Sequence, residues 1–198
     1  MGRSSAQQAL RNRTRIVEEA NRLFRERGVG AVSVSDVMGA AGMTVGGFYK
    51  HFASKEALVE DACALSFDQA AHVWRKLIQR DDGTESVAAI VDHYFLARPA
   101  HFTCPMLAYA PHVSDTNFPP ARQVYSDGAG ALLSDFLSRG GKQEDCEATQ
   151  ERQILFAAMI GAQLLAQASG HADWATALQK TVLRWATKEH PASQKTST

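Results

Sequence analysis

Apolar residues recur every three or four positions along most of this chain, which is the spacing of an amphipathic α-helix. The clearest stripe begins after Thr14, continues from Ile16 to Phe24 and ends at Gly28. Comparable stripes cover residues 84–97, 105–113, 119–139, 144–168 and 173–188. No segment alternates convincingly between apolar and polar residues, as a half-buried strand would. The sequence therefore predicts an all-α protein without a β-sheet.

Two short helices are predicted directly after the first stripe. Residues 33–36 read Ser-Val-Ser-Asp, the form of a capping box, and predict a helix that closes at Gly42. Thr44 is placed to cap a third helix, in which Phe48 and Phe52 lie one turn apart. Two short helices joined by a turn that contains glycine form a helix-turn-helix. A fourth, long helix is expected from Ser54 to the stop at residues 81–83, and it would connect this head mechanically to the rest of the chain.

The charges are distributed unevenly although the formal net charge is zero. Residues 1–56 carry nine Lys and Arg against five Asp and Glu, so the remainder of the chain is correspondingly acidic. A basic head on an acidic body is the footprint expected of a nucleic-acid-binding domain.

The composition narrows the class of protein further. An apolar fraction of 45%, a charged fraction of 21% and the lack of an 18-residue apolar run argue against disorder and against a transmembrane helix. The first residues lack the apolar stretch of a signal peptide, so we expect a cytoplasmic protein. Cys63, Cys104 and Cys146 are odd in number and lack CxxC spacing, so no structural disulfide is expected.

The outer face of the third helix is the predicted DNA-reading surface. If Phe48 is buried and each residue advances 100°, Gly46 and Lys50 lie almost opposite, with Gly47 and Tyr49 on the flanks. Two consecutive glycines cost about 1 kcal/mol each relative to Ala in a helix, so their presence needs a reason. Close approach of the backbone to the major groove of DNA is one such reason.

Side chains around these glycines suit contacts with DNA. Lys50 could reach the O6 and N7 atoms of guanine, while Thr44 and the methyl groups of Val45 could touch thymine methyl groups or sugar. Three further residues are placed to bond phosphates, together with the backbone amides at the start of the fourth helix: Tyr49, His51 and Lys55. An ordinary helical hairpin, with Tyr49 and His51 packing instead of binding, is the competing interpretation.

Residues 33–58 resemble the DNA-binding signature of the TetR family. The most telling matches are Gly42, Thr44, the cluster Phe48-Tyr49-x-His51-Phe52 and the segment Lys55-Glu56-x-Leu58. The resemblance implies nine or ten helices and phosphate or base contacts from Ser33, Thr44, Tyr49, His51 and Lys55. It also implies a helix-turn-helix domain at residues 1–55, a helical effector-binding and dimerisation domain at 56–190, and a disordered tail at 191–198.

The same resemblance implies a repressor that binds a palindromic operator as a homodimer and is released by a small molecule. Aromatic and adaptable side chains on four successive helices are candidates for lining its pocket: Trp74, Tyr94, Phe102, Met106, Tyr109, Tyr125 and Gln163. Arg98 and Arg122 are the only arginines near the middle of this region, so we expect a largely apolar or aromatic ligand.

Dimerisation is expected through the last two helices. Residues 144–168 place small residues repeatedly one turn apart, including Gly161, and residues 173–188 carry their own stripe through Trp174, Leu178, Val182 and Trp185. An interior helix of a monomer is the alternative interpretation of the first of these segments.

Three other interpretations are open from the residues. A helical enzyme could use His101, Cys104 or the pair Asp92-His93, but the spacing of His101 and Cys104 matches no closed zinc set and no oxyanion loop is recognisable. Cys104 could alternatively be a redox sensor. The remaining possibility is a constitutive DNA-binding protein whose helical body is densely packed and binds no effector. We expect no catalytic residue, no metal and no cofactor.

Overall fold

The computed structural model describes residues 2–78, 86–115, 119–138 and 146–188. Within these ranges every regular element is a helix, which confirms the predicted all-α class. The eight α-helices are α1 (Gly2–Arg27), α2 (Val34–Ala40), α3 (Lys55–Ile78), α4 (Ser86–Phe95), α5 (Pro105–Asp115), α6 (Pro119–Leu137), α7 (Cys146–Ala168) and α8 (Asp173–Lys188). Two 3₁₀ helices cover Val45–Lys50 and Ala100–Phe102. The predicted stop at residues 81–83 and the predicted tail at 191–198 lie outside the described residues.

Local sequence signals determine where several helices begin and end. Ser33 and Asp36 form the predicted capping box at the start of α2. Gly28 follows α1 with φ +81° and Gly42 follows α2 with φ +71°, a backbone region that favours glycine because it has no Cβ. At Gly42 the chain reverses through a hydrogen bond of 3.0 Å from its amide to the Gly39 carbonyl.

Three expectations about the first helices are corrected. The first helix begins at Gly2, well before Thr14. The third helix is a 3₁₀ helix, in which the Gly47 amide donates to the Thr44 carbonyl at 3.0 Å. The Thr44 side chain makes no capping hydrogen bond. Six residues that include two glycines are too few and too weak in helix propensity to sustain α geometry, whereas short 3₁₀ turns are common connectors.

The chain divides into two compact units. The first unit contains Met1–Ala70 and Arg98–Gly130, and the second contains Ala71–Ala97 and Ala131–Thr198. The first unit therefore combines the N-terminal helices with a segment of the chain that the sequence analysis assigned to the helical body. The predicted functional division at residue 55 stays a prediction.

The first unit is built around α1, which packs against α2, the Ala100–Phe102 helix and α5. Its fully buried side chains include Ile16, Phe24, Phe48 and Leu58. Close packing between α3 and α6 depends on Gly128, because a Cβ there would lie 2.4 Å from Cγ of Phe67.

The second unit has an aromatic core in which Trp74, Phe136 and Phe156 are all in contact, with ring centroids 5.4–6.3 Å apart. Helices α7 and α8 pack together beside it, and the buried Gln179 amide donates to Oε1 of Gln163 at 2.7 Å. No helix in the described ranges is long and apolar enough to cross a membrane.

Candidate nucleic-acid interface

The Val45–Lys50 helix presents one aromatic residue outward and buries the one before it. Phe48 is fully buried, and its ring stacks on Phe52 at 5.6 Å between centroids. Tyr49 is 73% exposed, and its ring touches Phe48 edge-on at 5.3 Å. A tyrosine that is held on a core residue and directed into solvent is preorganised to meet a partner, because little further ordering is needed on binding. Val45 and Lys50 are exposed on the same short helix.

The two glycines of this helix are not required by the protein's own packing. A Cβ at Gly46 would meet nothing within 4 Å, and a Cβ at Gly47 would only reach ordinary contact with Met38 at 3.7 Å. Neither glycine has the positive φ that would demand the residue. Close approach of a nucleic acid, which would explain their small size, stays a prediction.

Ser33 is already engaged within the protein. Its hydroxyl accepts from the Asp36 amide at 3.1 Å and donates to Oδ2 of Asp36 at 2.5 Å, while the Ser33 amide donates to the same carboxylate oxygen at 2.8 Å. The side-chain and then the backbone hydrogen bond from Ser33 lower the pKa of Asp36. Ser33 thus orders the start of α2, and a DNA contact from this residue stays a prediction.

The predicted phosphate-binding residues differ in their exposure and in the hydrogen bonds that they already make within the protein. Tyr49 and Lys50 are exposed, and His51 is half-buried at the end of the 3₁₀ helix. Lys55 is half-buried as well, and its Nζ donates to the Val29 carbonyl at 2.8 Å. An ammonium group has three donors, so this bond occupies one of them and leaves two for a phosphate.

Arg13 is a positioning residue that the sequence analysis missed. Its guanidinium lies 4.6 Å from the centroid of the Phe52 ring and pairs with Asp61 at 2.5 Å. Because Phe52 stacks on Phe48, Arg13 supports the residues beneath the outward face of the Val45–Lys50 helix. The only sequence signal was a basic residue three positions before the apolar stripe at Ile16, and no local pattern connects it with Phe52.

The residues predicted to line a ligand pocket are divided between the two units. In the first unit, Tyr125 donates from its hydroxyl to the Met106 carbonyl at 2.9 Å, Tyr109 is fully buried and Phe102 is half exposed. In the second unit, Trp74 belongs to the aromatic core, Tyr94 contacts Phe95, and Gln163 is bonded to Gln179. Tyr125 and Met106 are thus brought together, and a common pocket stays a prediction.

The short helix α2 packs on α1 and is followed by a tight turn on glycine and by the Val45–Lys50 helix with its exposed outer face. This arrangement is a helix-turn-helix, which is typical of DNA-binding regions. Residues 16–62 match the model of the family described as bacterial regulatory proteins, tetR family. Residues 16–62 are therefore similar to the DNA-binding region of that family.

Curated relatives agree with this family. The chain is 36% identical over 66 residues to the HTH-type transcriptional repressor KstR2 of Rhodococcus jostii, a match covering 33% of this chain and 32% of that protein. It is 38% identical over 66 residues to the HTH-type transcriptional regulator AcrR of Shigella flexneri, covering 33% of this chain and 31% of that protein. The matches therefore span about a third of these relatives' length. Their names describe regulators of transcription, not enzymes.

Solved structures resemble the chain over most of its length. A TetR transcriptional regulator from Chloroflexus aurantiacus is 26% identical, with a TM-score of 0.67, covering 92% of this chain and 97% of that one. A TetR-family regulator from Cytophaga hutchinsonii is 18% identical, with a TM-score of 0.78, covering 91% and 96%. A transcriptional regulator from Saccharomonospora viridis, solved in complex with choline, is 18% identical with a TM-score of 0.72, covering 90% and 96%. The fold is that of TetR-family regulators.

Proposed function

We propose that this protein is a cytoplasmic, ligand-responsive repressor that binds a palindromic operator as a homodimer and is released by a small molecule. The observation that carries the proposal is the outward face of the Val45–Lys50 helix. Tyr49 and Lys50 project from it, and Gly46 and Gly47 leave room for a close partner. A tetR-type helix-turn-helix with this face would read base edges in the major groove while neighbouring groups hold phosphates.

Support for a homodimer comes from α7 and α8 in the second unit. Each helix leaves large apolar side chains more than a third exposed: Ile154, Leu164 and Leu165 on α7, and Trp174, Leu178 and Trp185 on α8. On α7 these residues share one face with Gly161, where a Cβ would meet nothing within 4 Å. Two copies of such a face can bury each other in an isologous interface. A two-fold dimer binds two half-sites related by the same symmetry, hence the palindrome.

Support for an effector is chemical. In the first unit Tyr125 is bonded to the Met106 carbonyl, and in the second unit Trp74 packs against Phe136. Such surroundings suit an apolar or aromatic molecule, because a multiply charged one would lack partners to offset its desolvation. The regulator from Saccharomonospora viridis was solved with choline, an organic cation with apolar methyl groups.

Selection of duplexes from a random library tests the DNA-binding half of the proposal. The protein should enrich an inverted repeat whose half-sites lie about 10 base pairs apart from centre to centre. Affinity for the selected duplex should exceed nonspecific affinity by at least about 1,000-fold at physiological salt. Retention of all duplexes alike, without an enriched sequence, would contradict a sequence-specific operator.

A ligand panel tests the effector half. A compound that binds the folded protein must raise its melting temperature, and the same compound should lower operator affinity about 5- to 150-fold. Ala108→Trp, which adds bulk beside Tyr109 on α5, should remove the response and leave DNA binding intact, whereas Ala177→Trp on the exposed surface of α8 serves as a check on added bulk alone. If no compound in a broad panel changes operator affinity, the constitutive DNA-binding protein becomes the better interpretation.

A further inference from the structure

A partly buried polar network joins three segments of the first unit. Asn21 on α1 is 4% exposed, and its Nδ2 donates to Oε1 of Gln69 on α3 at 3.0 Å. The hydroxyl of Tyr109 on α5, which is fully buried, donates to Oδ1 of the same Asn21 at 3.3 Å. Asn21 therefore uses both ends of its amide, one on α3 and one on α5.

Arg25, one turn further along α1, extends the network. Its Nε donates to the Thr103 carbonyl at 2.7 Å, and its Nη1 donates to Oε1 of Gln69 at 3.4 Å. Burial lowers the pKa of Arg25, while Cys104 and Tyr109 oppose this shift electrostatically. The acceptors in these two bonds are a backbone carbonyl and a side-chain amide, so neither is a carboxylate.

A half-buried guanidinium that is held by neutral acceptors is an inefficient way to gain stability. Removing its water is costly, and apolar side chains of similar volume would fill the same space without that cost. What a hydrogen-bonded network adds is geometry, because its directional bonds are satisfied in one arrangement and broken in others. Arg25 and Asn21 thus fix residues 103–109 in a particular position on α1.

The same α1 supports the DNA-reading helices. It packs against α2, its Arg13 lies over Phe52, and a Cβ at Gly42 would lie 3.6 Å from Nη2 of Arg15. A single helix therefore meets the helix-turn-helix, and the polar network attaches residues 103–109 to that helix. The segment includes Met106 and Tyr109, two of the predicted effector-binding residues.

We propose that the network of Asn21, Arg25, Gln69 and Tyr109 couples DNA binding at the helix-turn-helix to the conformation of residues 100–109. This inference rests on the proposed DNA-binding function. A ligand that displaced residues 100–109 would act on the DNA-reading helices through α1, to which Gln69 also attaches the long helix α3. Coupling is reciprocal, so DNA must in turn stabilise the position of residues 100–109. That consequence is measurable without knowing the effector.

Hydrogen exchange of the full-length protein, alone and with the duplex selected from the random library, tests the coupling. In the wild type the duplex should slow amide exchange across residues 100–109 about fivefold or more. Arg25→Met removes the bonds to Thr103 and Gln69, and Tyr109→Phe removes only one hydroxyl and is the milder change. Arg22→Met is the matched control, because Arg22 is exposed on the same helix and pairs with Glu19 and Glu26.

The inference expects the slowing to persist in Arg22→Met, to fall below about twofold in Arg25→Met and to be reduced in Tyr109→Phe while all three still bind the duplex. If amide exchange at residues 100–109 of the wild type is equally fast with and without the bound duplex, the inference is overturned and the proposed function still stands. The inference is also overturned if the duplex slows amide exchange equally in the wild type, in Tyr109→Phe and in a folded Arg25→Met. A wild type that binds no duplex would remove the proposed function and this inference together.

Discussion

The helix-turn-helix and the α7–α8 pair present opposite kinds of surface. Within Val45–Lys50 the exposed residues are Val45, Gly46, Tyr49 and Lys50, and the segment lies within the region that matches the tetR family. On α7 and α8 the exposed residues include large apolar side chains. The first surface suits a partner of nearly constant shape and strong negative charge, whereas the second suits another copy of itself.

The comparison also explains why similarity is distributed unevenly. The KstR2 and AcrR relatives match over 66 residues at 36–38% identity, while whole-chain structural likeness extends to proteins only 18% identical. If the helix-turn-helix binds operator DNA as proposed, the need to fit the groove constrains particular side chains. A helical body needs only apolar stripes of adequate volume, which many sequences provide.

The largest expected effect is on association. Gly161→Glu should yield monomers and lower operator affinity about 100-fold or more, since linking two reading heads is what multiplies their separate affinities. The substitution has room in the single chain, because a Cβ at Gly161 meets nothing within 4 Å, so folding should survive. Sedimentation and mobility shift measure the two effects.

Gln167→Glu is the control for that substitution, since Gln167 is exposed on α7 but lies outside the apolar face. A dimer that persists with both Gly161→Glu and Leu165→Glu would show that the apolar face of α7 is not the contact between copies.

The next effect concerns stability of the first unit. Gly128→Ala would place a Cβ 2.4 Å from Cγ of Phe67 and should lower the free energy of unfolding by about 1–3 kcal/mol. Gly130→Ala, two residues further along α6, meets open space and should instead raise it by about 0.5–1 kcal/mol. Thermal unfolding compares the pair. Equal changes of the same sign would mean that helix propensity, not the contact with Phe67, decides the outcome.

A third prediction separates reading from anchoring within the interface. Lys50→Ala should cost about 1–3 kcal/mol at one base pair in each half-site and relax the preference there. Lys55→Ala should weaken binding to all sequences alike and reduce the magnitude of the salt slope by about 1 for each phosphate that is no longer bound. Binding measured across single-base variants and salt concentrations gives both quantities. The same sequence-independent loss in both variants would reduce Lys50 to a backbone contact.

The smallest effect is the pH dependence of the cap on α2. The pKa of Asp36 is lowered by its bonds to Ser33, so the folded state binds a proton here less readily than the unfolded state. The cap therefore contributes stability above the ordinary Asp pKa, and that contribution is lost as the pH falls below it. Asp36→Asn should lower the melting temperature slightly at neutral pH, and the difference should shrink as the pH is lowered through the Asp range. An equal drop at neutral and acidic pH would assign the loss to packing.

Sequence patterns predicted the helices but not the contacts between them. The stripe from Asp173 to Lys188 coincides with α8, and Ser33 and Asp36 form the expected cap, because both depend on residues close in sequence. The 3₁₀ geometry of Val45–Lys50 was not predicted, since apolar spacing over six residues does not distinguish about 3.0 from 3.6 residues per turn.

Contacts between distant residues had no sequence signal at all. Arg13 lies over Phe52, Lys55 is bonded to the Val29 carbonyl, and Tyr109 is bonded to Asn21 from 88 positions away. A single sequence shows that these residues are polar or aromatic, but the partner of each follows only from the packing of helices. The outward face of the helix-turn-helix was accessible to sequence analysis because its residues are contiguous.

Two copies of the Val45–Lys50 helix are proposed to read one operator together. This proposal is tested by a mobility shift with the selected operator and with a version in which about five base pairs are inserted between the half-sites. The insertion turns one half-site about half a helical turn away from the other, so one dimer can no longer engage both grooves. Affinity should therefore fall to that of a single half-site. Unchanged affinity would show that each copy reads DNA alone and would rule out joint reading by a dimer.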